Sequence, residues 1–465
     1  MTKKFLTIII FFAFMAKGSA QIEVHSSNQV GIGTTNPQYK LHVVGDAFIT
    51  GNYLLGTAST FLGTSGNNPV TFKSNNVLSG STGSSAKTNV SFGYEALLNP
   101  QSSIENTAVG YRALRNTYNS NNQYGQNTAI GSYTLYSNTT GRENTANGSN
   151  ALYSNTTGIQ NTAIGSGALY SNTTGYSNNA LGTYPLYSNI SGYENQAFGN
   201  NALLYNTTGI RNDAFGTGAL MYNTTGSYNT AIGYLSLYVI TGGDCNVAVG
   251  QRALGGITTG SNNTAVGNNA GYSSSFTNST SIGNNSLATS SNQVKIGNSS
   301  VTSIGGYVAW TNFSDGRAKK NIRTDVPGLS FINSLQPVTY NIDLDVIDEL
   351  LKIDNPESYY GDSIMVDPKI QEWVEMERKA REAKEKIVQT GFVAQDVETA
   401  AKSVGYDFSG VDVDESGIYS LRYGEFVVPL VKAVQELSEQ NDLLREQINE
   451  LNKRIEALER KENEF

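Results

Sequence analysis

NTAIGSGALYSNTTG, residues Asn161 to Gly175, is one copy of a unit that returns along most of the chain. Its first glycine, Gly165, belongs to a series running Gly131, Gly148, Gly165, Gly182, Gly199, Gly216, Gly233, Gly250 and Gly267, each 17 residues after the last. Alanine stands two positions before each of these glycines, as in Ala146, Ala163 and Ala180, and leucine stands four positions after most of them, as in Leu152, Leu169 and Leu186. A fixed period of this kind is the mark of a solenoid or repeat array. Seventeen residues rich in Gly, Asn and Thr are too few and too poor in helix formers for a helical pair. The pattern predicts two short strands per unit, Asn-Thr-Ala-Ile and Ala-Leu-Tyr, closed by an Asn-Thr-Thr-Gly turn in which Asn and Gly tolerate left-handed backbone. One unit cannot bury its few apolar side chains, so stacking must supply the core, with Ile on Ile and Leu on Leu in columns. Eleven rungs at ~4.8 Å would make a rod of roughly 50 Å. Asn147 interrupts the column before the glycine, which Phe198, Phe215 and Val249 keep apolar, and a weak rung is expected there.

Outward from the repeats, the composition changes abruptly near residue 310. Between Gln21 and Phe313 there are 9 Lys/Arg and 8 Asp/Glu, against 19 and 31 from Ser314 onward, so two physically different materials are joined. The net charge of −8 carries no basic footprint, which argues against a nucleic-acid partner. The single cysteine, Cys245, rules out an intrachain disulfide framework. With only His25 and His42 as histidines, a histidine or cysteine metal centre is not expected, nor is any cofactor. At the start, Lys3 and Lys4, the apolar run Phe5 to Ala16 and the small residues Gly18, Ser19 and Ala20 read as a secretory signal peptide cleaved before Gln21. The competing reading, a retained anchor, suits the run less well, because a bilayer span needs ~20 residues. The expected location is therefore secreted or cell-surface, with no membrane-spanning segment after signal removal.

The repeats resemble the left-handed β-roll heads of trimeric autotransporter adhesins, whose units also carry an Ala-Ile-Gly core. That resemblance covers about residues 88 to 300 and implies three intertwined chains. QVGIGTTNPQYKLHV, Gln29 to Val43, is similar to a short β motif near the start of bacterial tail-fibre-like proteins. Two features of the repeats have a sharper and a plainer reading. The Asn-Thr-Thr triplets at Asn138, Asn155, Asn172, Asn206 and Asn223 match a glycosylation acceptor, but turn chemistry alone explains their placement. The column Tyr136, Tyr153, Tyr170 and Tyr187 could stack sugars, or form an aromatic ladder between rungs.

SDGRAKKNI, Ser314 to Ile322, then TGFVAQDVE, Thr390 to Glu398, and YSLRYGEFVVPLVKAVQEL, Tyr419 to Leu437, occur in the order found in the intramolecular chaperone domain of phage endosialidases and tail fibres. That resemblance implies a self-cleaving serine peptidase with a Ser–Lys dyad. Carried over, Ser314 is the nucleophile, Lys319 the base, Asp315 a supporting residue and Phe313–Ser314 the scissile bond. A lysine can accept the hydroxyl proton only when its pKa lies well below ~10.4, through burial or nearby positive charge such as Arg317 or Lys320. Five helical residues turn the chain ~500°, so Ser314 must be extended or capping, or meet a lysine of a neighbouring chain. The plainer reading is that Ser314 and Asp315 merely cap a helix.

From Leu430 the chain carries apolar residues, with the polar Asn441 among them, at alternating spacings of four and three: Val434, Leu437, Asn441, Leu444, Ile448, Leu451, Ile455 and Leu458. This predicts a coiled coil over 430–465, with Asn441 fixing register. Ile at a with Leu at d favours a dimer, whereas Arg454-Ile455-Glu456-Ala457-Leu458-Glu459 resembles a pattern common in trimers, and the trimer is the expectation adopted. The predicted architecture is mainly β. It comprises a signal peptide (1–20), an N-terminal β motif and connector (21–87), a repeat fibre (88–300), a small α+β chaperone domain (301–429) with a charged helical insert (343–388), and the coiled coil. The expected function is a homotrimeric fibre, with a surface glycan or receptor as its partner, assembled and cut by its own tail. The alternatives are a trimeric surface adhesin that keeps its folding domain, and a glycan-degrading enzyme, which the scarcity of carboxylates in the repeats argues against.

Overall fold

The computed structural model describes residues 89–98, 105–117, 125–272, 275–307, 310–351 and 368–462, preceded by the backbone of five short strands. The signal-peptide reading of residues 1–20 lies outside the described residues. Contacts divide the chain into two units, Met1–Gly63 and Thr64–Phe465. In the first, β1 (Ile22–Val24), β2 (Val30–Ile32) and β3 (Leu41–Val43) form a three-stranded sheet, β1 antiparallel and β3 parallel to β2.

The second unit is dominated by a 15-stranded sheet. Two strands, β4 (Thr71–Ser74) and β5 (Val77–Ser81), pair antiparallel at its start. From β6 (Val90–Phe92) to β18 (Val294–Ile296) the sheet is parallel, with one three-residue strand per repeat, so this part of the chain is a parallel β-solenoid. The register is fixed by the repeat: Ala163 pairs with Ala146 and Ala180, and Ile164 with Asn147 and Leu181.

Each unit therefore holds one strand, not two. The Ala-Leu-Tyr segment is a turn, because every leucine in it takes left-handed backbone (Leu152 φ 51°, Leu169 φ 54°, Leu186 φ 51°). That conformation costs roughly 1–2 kcal/mol for an L residue. Complete burial of the leucine, worth about 1.5–3 kcal/mol, offsets it, and the Leu186 N–H donates to Ala202 O of the next rung at 2.9 Å. A β-branched side chain would suffer more there, which accounts for Leu rather than Ile or Val at that position.

The core also differs from the expected stacking of isoleucines. In each strand from β7 (Thr107–Val109) to β16 (Thr264–Val266) alanine points inward and is buried, while the residues on either side point out, so Ile164 and Ile232 are about two-fifths exposed. The strand period of two leaves room for only one inward residue out of three. Asn147 consequently causes no break: it is exposed, and its strand pairs normally on both sides. The glycine after each strand is needed for close approach. At Gly182 (φ 137°) a Cβ atom would lie 2.7 Å from Gly199 O and 2.8 Å from its carbonyl carbon.

Two columns of buried asparagine line the interior. In the first, each Asn accepts on Oδ1 from the main-chain N–H and the Nδ2 of the Asn one rung on, as Asn178 does from Asn195 at 3.1 Å in both bonds. Each also donates to a turn carbonyl, as Asn195 does to Gly209 O at 2.9 Å. Ser279 takes over at the far end and donates to Asn263 Oδ1 at 2.7 Å. The second column contains Asn138, Asn155, Asn172, Asn189, Asn206 and Asn223, linked Nδ2 to Oδ1. Buried Ile240 and Ile257 continue it, which leaves Asn223 Oδ1 without a donor at the handover.

After residue 310 a small α+β region follows. Its elements are α1 (Leu329–Ile332), β19 (Val338–Tyr340), α2 (Leu344–Leu351), α3 (Pro368–Glu385), β20 (Gln389–Gly391), α4 (Ala394–Ser403), β21 (Val411–Val413) and β22 (Tyr419–Leu421), then α5 (Val427–Glu462). Its core is Phe331, Val397, Ala400, Ala401, Phe408 and Phe426, with Phe408 edge-on to Phe426 at 4.8 Å. Glu436 of α5 accepts the main-chain N–H of Leu329 at 2.7 Å, tying α1 to the long helix. None of the helices among the described residues is long and apolar enough to cross a membrane.

Candidate Ser–Lys site and self-association surfaces

Residues 311–322 run as exposed chain broken by one turn of 3-10 helix, Gly316–Ala318. Asp315 caps that turn: its Oδ1 accepts the Arg317 main-chain N–H at 2.9 Å. Lys319 leaves the turn in an extended conformation with its N–H bonded to Gly316 O at 3.1 Å. A three-residue turn between two extended residues replaces the continuous helix that would have put residues five apart on different faces. The result is a direct contact, with Lys319 Nζ donating to Ser314 Oγ at 2.8 Å within one chain.

Arg317 does not supply its charge to the lysine. Its guanidinium is held by the Asp315 carboxylate, Nη2 to Oδ2 at 2.6 Å, and this pair, helped by the Arg317 main-chain N–H, keeps Asp315 below the usual carboxylate range. Asp315 thus serves both as the cap foreseen in the plainer reading and as a clamp on Arg317. Ser314 and Lys319 stand in water, and Phe313, on the other side of the candidate scissile bond, is 85% exposed.

The three segments behind the chaperone resemblance are not all brought together. Thr390–Glu398 supplies β20 and the start of α4, and Tyr419–Leu437 supplies β22 and the start of α5. Both contribute to one core, through Phe392 and Val397 and through Leu421 and Phe426. Ser314–Ile322 contributes no residue to that core.

The predicted seam residues lie on α5. Leu437, Leu444, Ile448, Leu451, Ile455 and Leu458 are all exposed, as is Asn441. A second unpaired apolar surface was not foreseen: the outward residue after each strand alanine, including Ile130, Ile164, Leu181, Phe215, Ile232 and Val266, forms a stripe along the solenoid. The signal was present in the sequence, since strand alternation about a buried alanine puts its neighbour outside.

The remaining repeat features resolve in favour of the plainer chemistry. Asn138, Asn155, Asn172, Asn206 and Asn223 are fully buried with Nδ2 engaged, so none of these five is open to a glycan in the folded solenoid. Tyr136, Tyr153, Tyr170 and Tyr187 stack at 5.2, 5.1 and 4.9 Å with ring planes within 10°. Rings stacked on one another have little face left for a sugar. Cys245 is exposed. Compared with known proteins, the chain matches no family model and no curated relative.

Proposed function

We propose that three copies of this chain assemble into a surface or secreted fibre, and that the tail following residue 313 drives the assembly and then cuts the chain between Phe313 and Ser314. The observation that carries the reading is the seam on α5. Eight apolar side chains at heptad spacing, from Leu430 to Leu458, face water on a 36-residue helix. Each gains about 1.5–3 kcal/mol when buried, and partner helices of the same kind are the natural cover. The stripe on the solenoid supports the same conclusion, because it gives every rung but that of Asn147 an outward apolar group for neighbouring copies to cover. A parallel solenoid depends on contacts between rungs 17 residues apart, and joining three of them in register is slow without a nucleus. A helical bundle at the C-terminus supplies that nucleus by raising the local concentration of the chains.

The Ser314–Lys319 contact supports the cutting step. The Ser314 hydroxyl would attack the Phe313 carbonyl carbon, with neutral Lys319 taking its proton and passing it to the Ser314 nitrogen as the peptide bond breaks. Water would then hydrolyse the ester left between Phe313 and Ser314 Oγ, which frees the Phe313 carboxylate and restores the hydroxyl. In a single copy both groups are hydrated, so activation requires neighbouring copies to cover them, which would make the cut wait for assembly. The same exposure also favours a second reading, a trimeric adhesin whose tail stays attached. Intact-mass measurement of the secreted product separates the two. The cutting reading expects fragments ending at Phe313 and starting at Ser314, and a single full-length chain from Ser314→Ala and from Lys319→Ala. A full-length wild-type product would establish the second reading, and unchanged fragments from both variants would remove the dyad.

A further inference from the structure

Among the described residues, two hydrogen bonds and the attraction of Asp414 to groups of the last rungs link the end of the solenoid to the tail region, and all of them span the candidate cut. Asn285 Nδ2 donates to Glu377 Oε1 of α3 at 3.4 Å, and Lys384 Nζ, at the end of the same helix, donates to the Val301 carbonyl. Thr289 and Lys295 of β18 stand near Asp414 and both favour its charged form, while the Thr289 hydroxyl donates to Gln293 Oε1 at 3.2 Å. Burial opposes the charged form of Asp414, but Thr289, the main-chain N–H groups of Ile418 and Ser416, and Lys295 outweigh it and hold the carboxyl below its ordinary range. Residues 301–307 and 310–313, which connect the two parts, are exposed chain.

We infer that the tail fragment beginning at Ser314 stays docked on the last rungs of the solenoid after the Phe313–Ser314 bond is cut, held by a polar latch of Asn285, Thr289, Lys295 and the Val301 carbonyl against Glu377, Lys384 and Asp414. The inference rests on the proposed cut, and it assigns the insert helix α3 and the β21–β22 loop the role of a fibre-end clamp. The cut itself breaks none of these interactions, since each has one partner before residue 313 and one after residue 314. One such contact at a partly hydrated surface is weak, but several on one rigid fragment act together, and a trimer would present three sets. Because the latch is polar and charged, salt rather than cleavage is what opens it.

The test is size-exclusion chromatography of the full chain after cutting. A site-specific protease sequence placed within 305–312 of the Ser314→Ala variant lets the cut be made whether or not the protein cuts itself. The latch predicts that both fragments co-elute at about 0.05 M salt and separate near 1 M, where charge interactions are screened within ~3 Å. It also predicts that Lys295→Ala combined with Lys384→Ala, both half-buried side chains, weakens retention about tenfold or more at low salt. Fragments that separate at low salt, or that stay together in the double variant, would overturn it. A wild-type chain that does not cut itself, while the engineered cut leaves the fragments docked, would refute the proposed cleavage and leave the latch standing.

Discussion

Replacing Asn195 with alanine tests whether the buried asparagine column holds the rungs together. The side chain makes four hydrogen bonds: Nδ2 to Asn178 Oδ1 (3.1 Å) and Gly209 O (2.9 Å), and Oδ1 from the Asn212 main-chain N–H (3.0 Å) and Nδ2 (3.1 Å). After Asn195→Ala, Asn178 Oδ1 keeps the Asn195 N–H, Gly209 O keeps Asn206 Nδ2, and Asn212 Nδ2 keeps Gly226 O. The buried Asn212 N–H loses its acceptor. An orphaned buried group costs about 1–3 kcal/mol and each lost bond about 0.5–1.5, giving roughly 3–7 kcal/mol at one rung. A solenoid is stabilised rung by rung, so the loss should be local. Hydrogen exchange reads it without assuming reversible two-state unfolding: the amides of Gln196 and Asp213, bonded to the next rung at 2.8 Å, should exchange about a hundredfold faster or more. Asn147→Ala, at an exposed strand position, should stay within about 0.5 kcal/mol of the parent. Equal protection in the two variants would refute the claim that the column carries stability.

Three further outcomes are expected. Gly182→Ala would combine a left-handed φ of 137° with a Cβ 2.7 Å from Gly199 O, so proteolysis should open the solenoid near that rung; a variant as resistant as the parent would contradict the close stacking. Ile448→Glu with Leu451→Glu places two charges on the α5 seam and should abolish the trimer in analytical ultracentrifugation, while unchanged mass would place the interface elsewhere. Glu375 is held at about 2 by Arg378 first and Lys379 second. Its pKa is depressed on folding, so its support of α3 is complete above the unfolded value of ~4.3 and is lost as pH falls toward 2. A side-chain carboxyl titration by NMR should therefore have its midpoint near 2, and a midpoint above 4 would break that ion cluster.

The period of 17 was legible without any structure, and so was the leucine column of its core, whereas the alanines that complete it were not read as buried. Which of the two apolar columns faces inward was not. Ile164 and Leu169 are equally hydrophobic in the text, and only the one-strand geometry of the rung sends the first out and the second in. The asparagines read as turn formers, because an amide's role in a turn and in a buried ladder leaves the same mark on a sequence. Ser314 and Lys319 were chosen by resemblance, and their spacing alone argued against a shared helix. A single 3-10 turn between extended residues made the 2.8 Å contact possible.

By itself, then, the sequence determined what repeats, since covalent spacing is a one-dimensional property: the rung length, the pairing register that follows from it, and the heptad seam of α5. The tertiary structure alone decided what each repeated residue faces. Facing depends on how turns of left-handed backbone wrap the chain, and on partners as distant as Glu377 from Asn285, which no local pattern encodes.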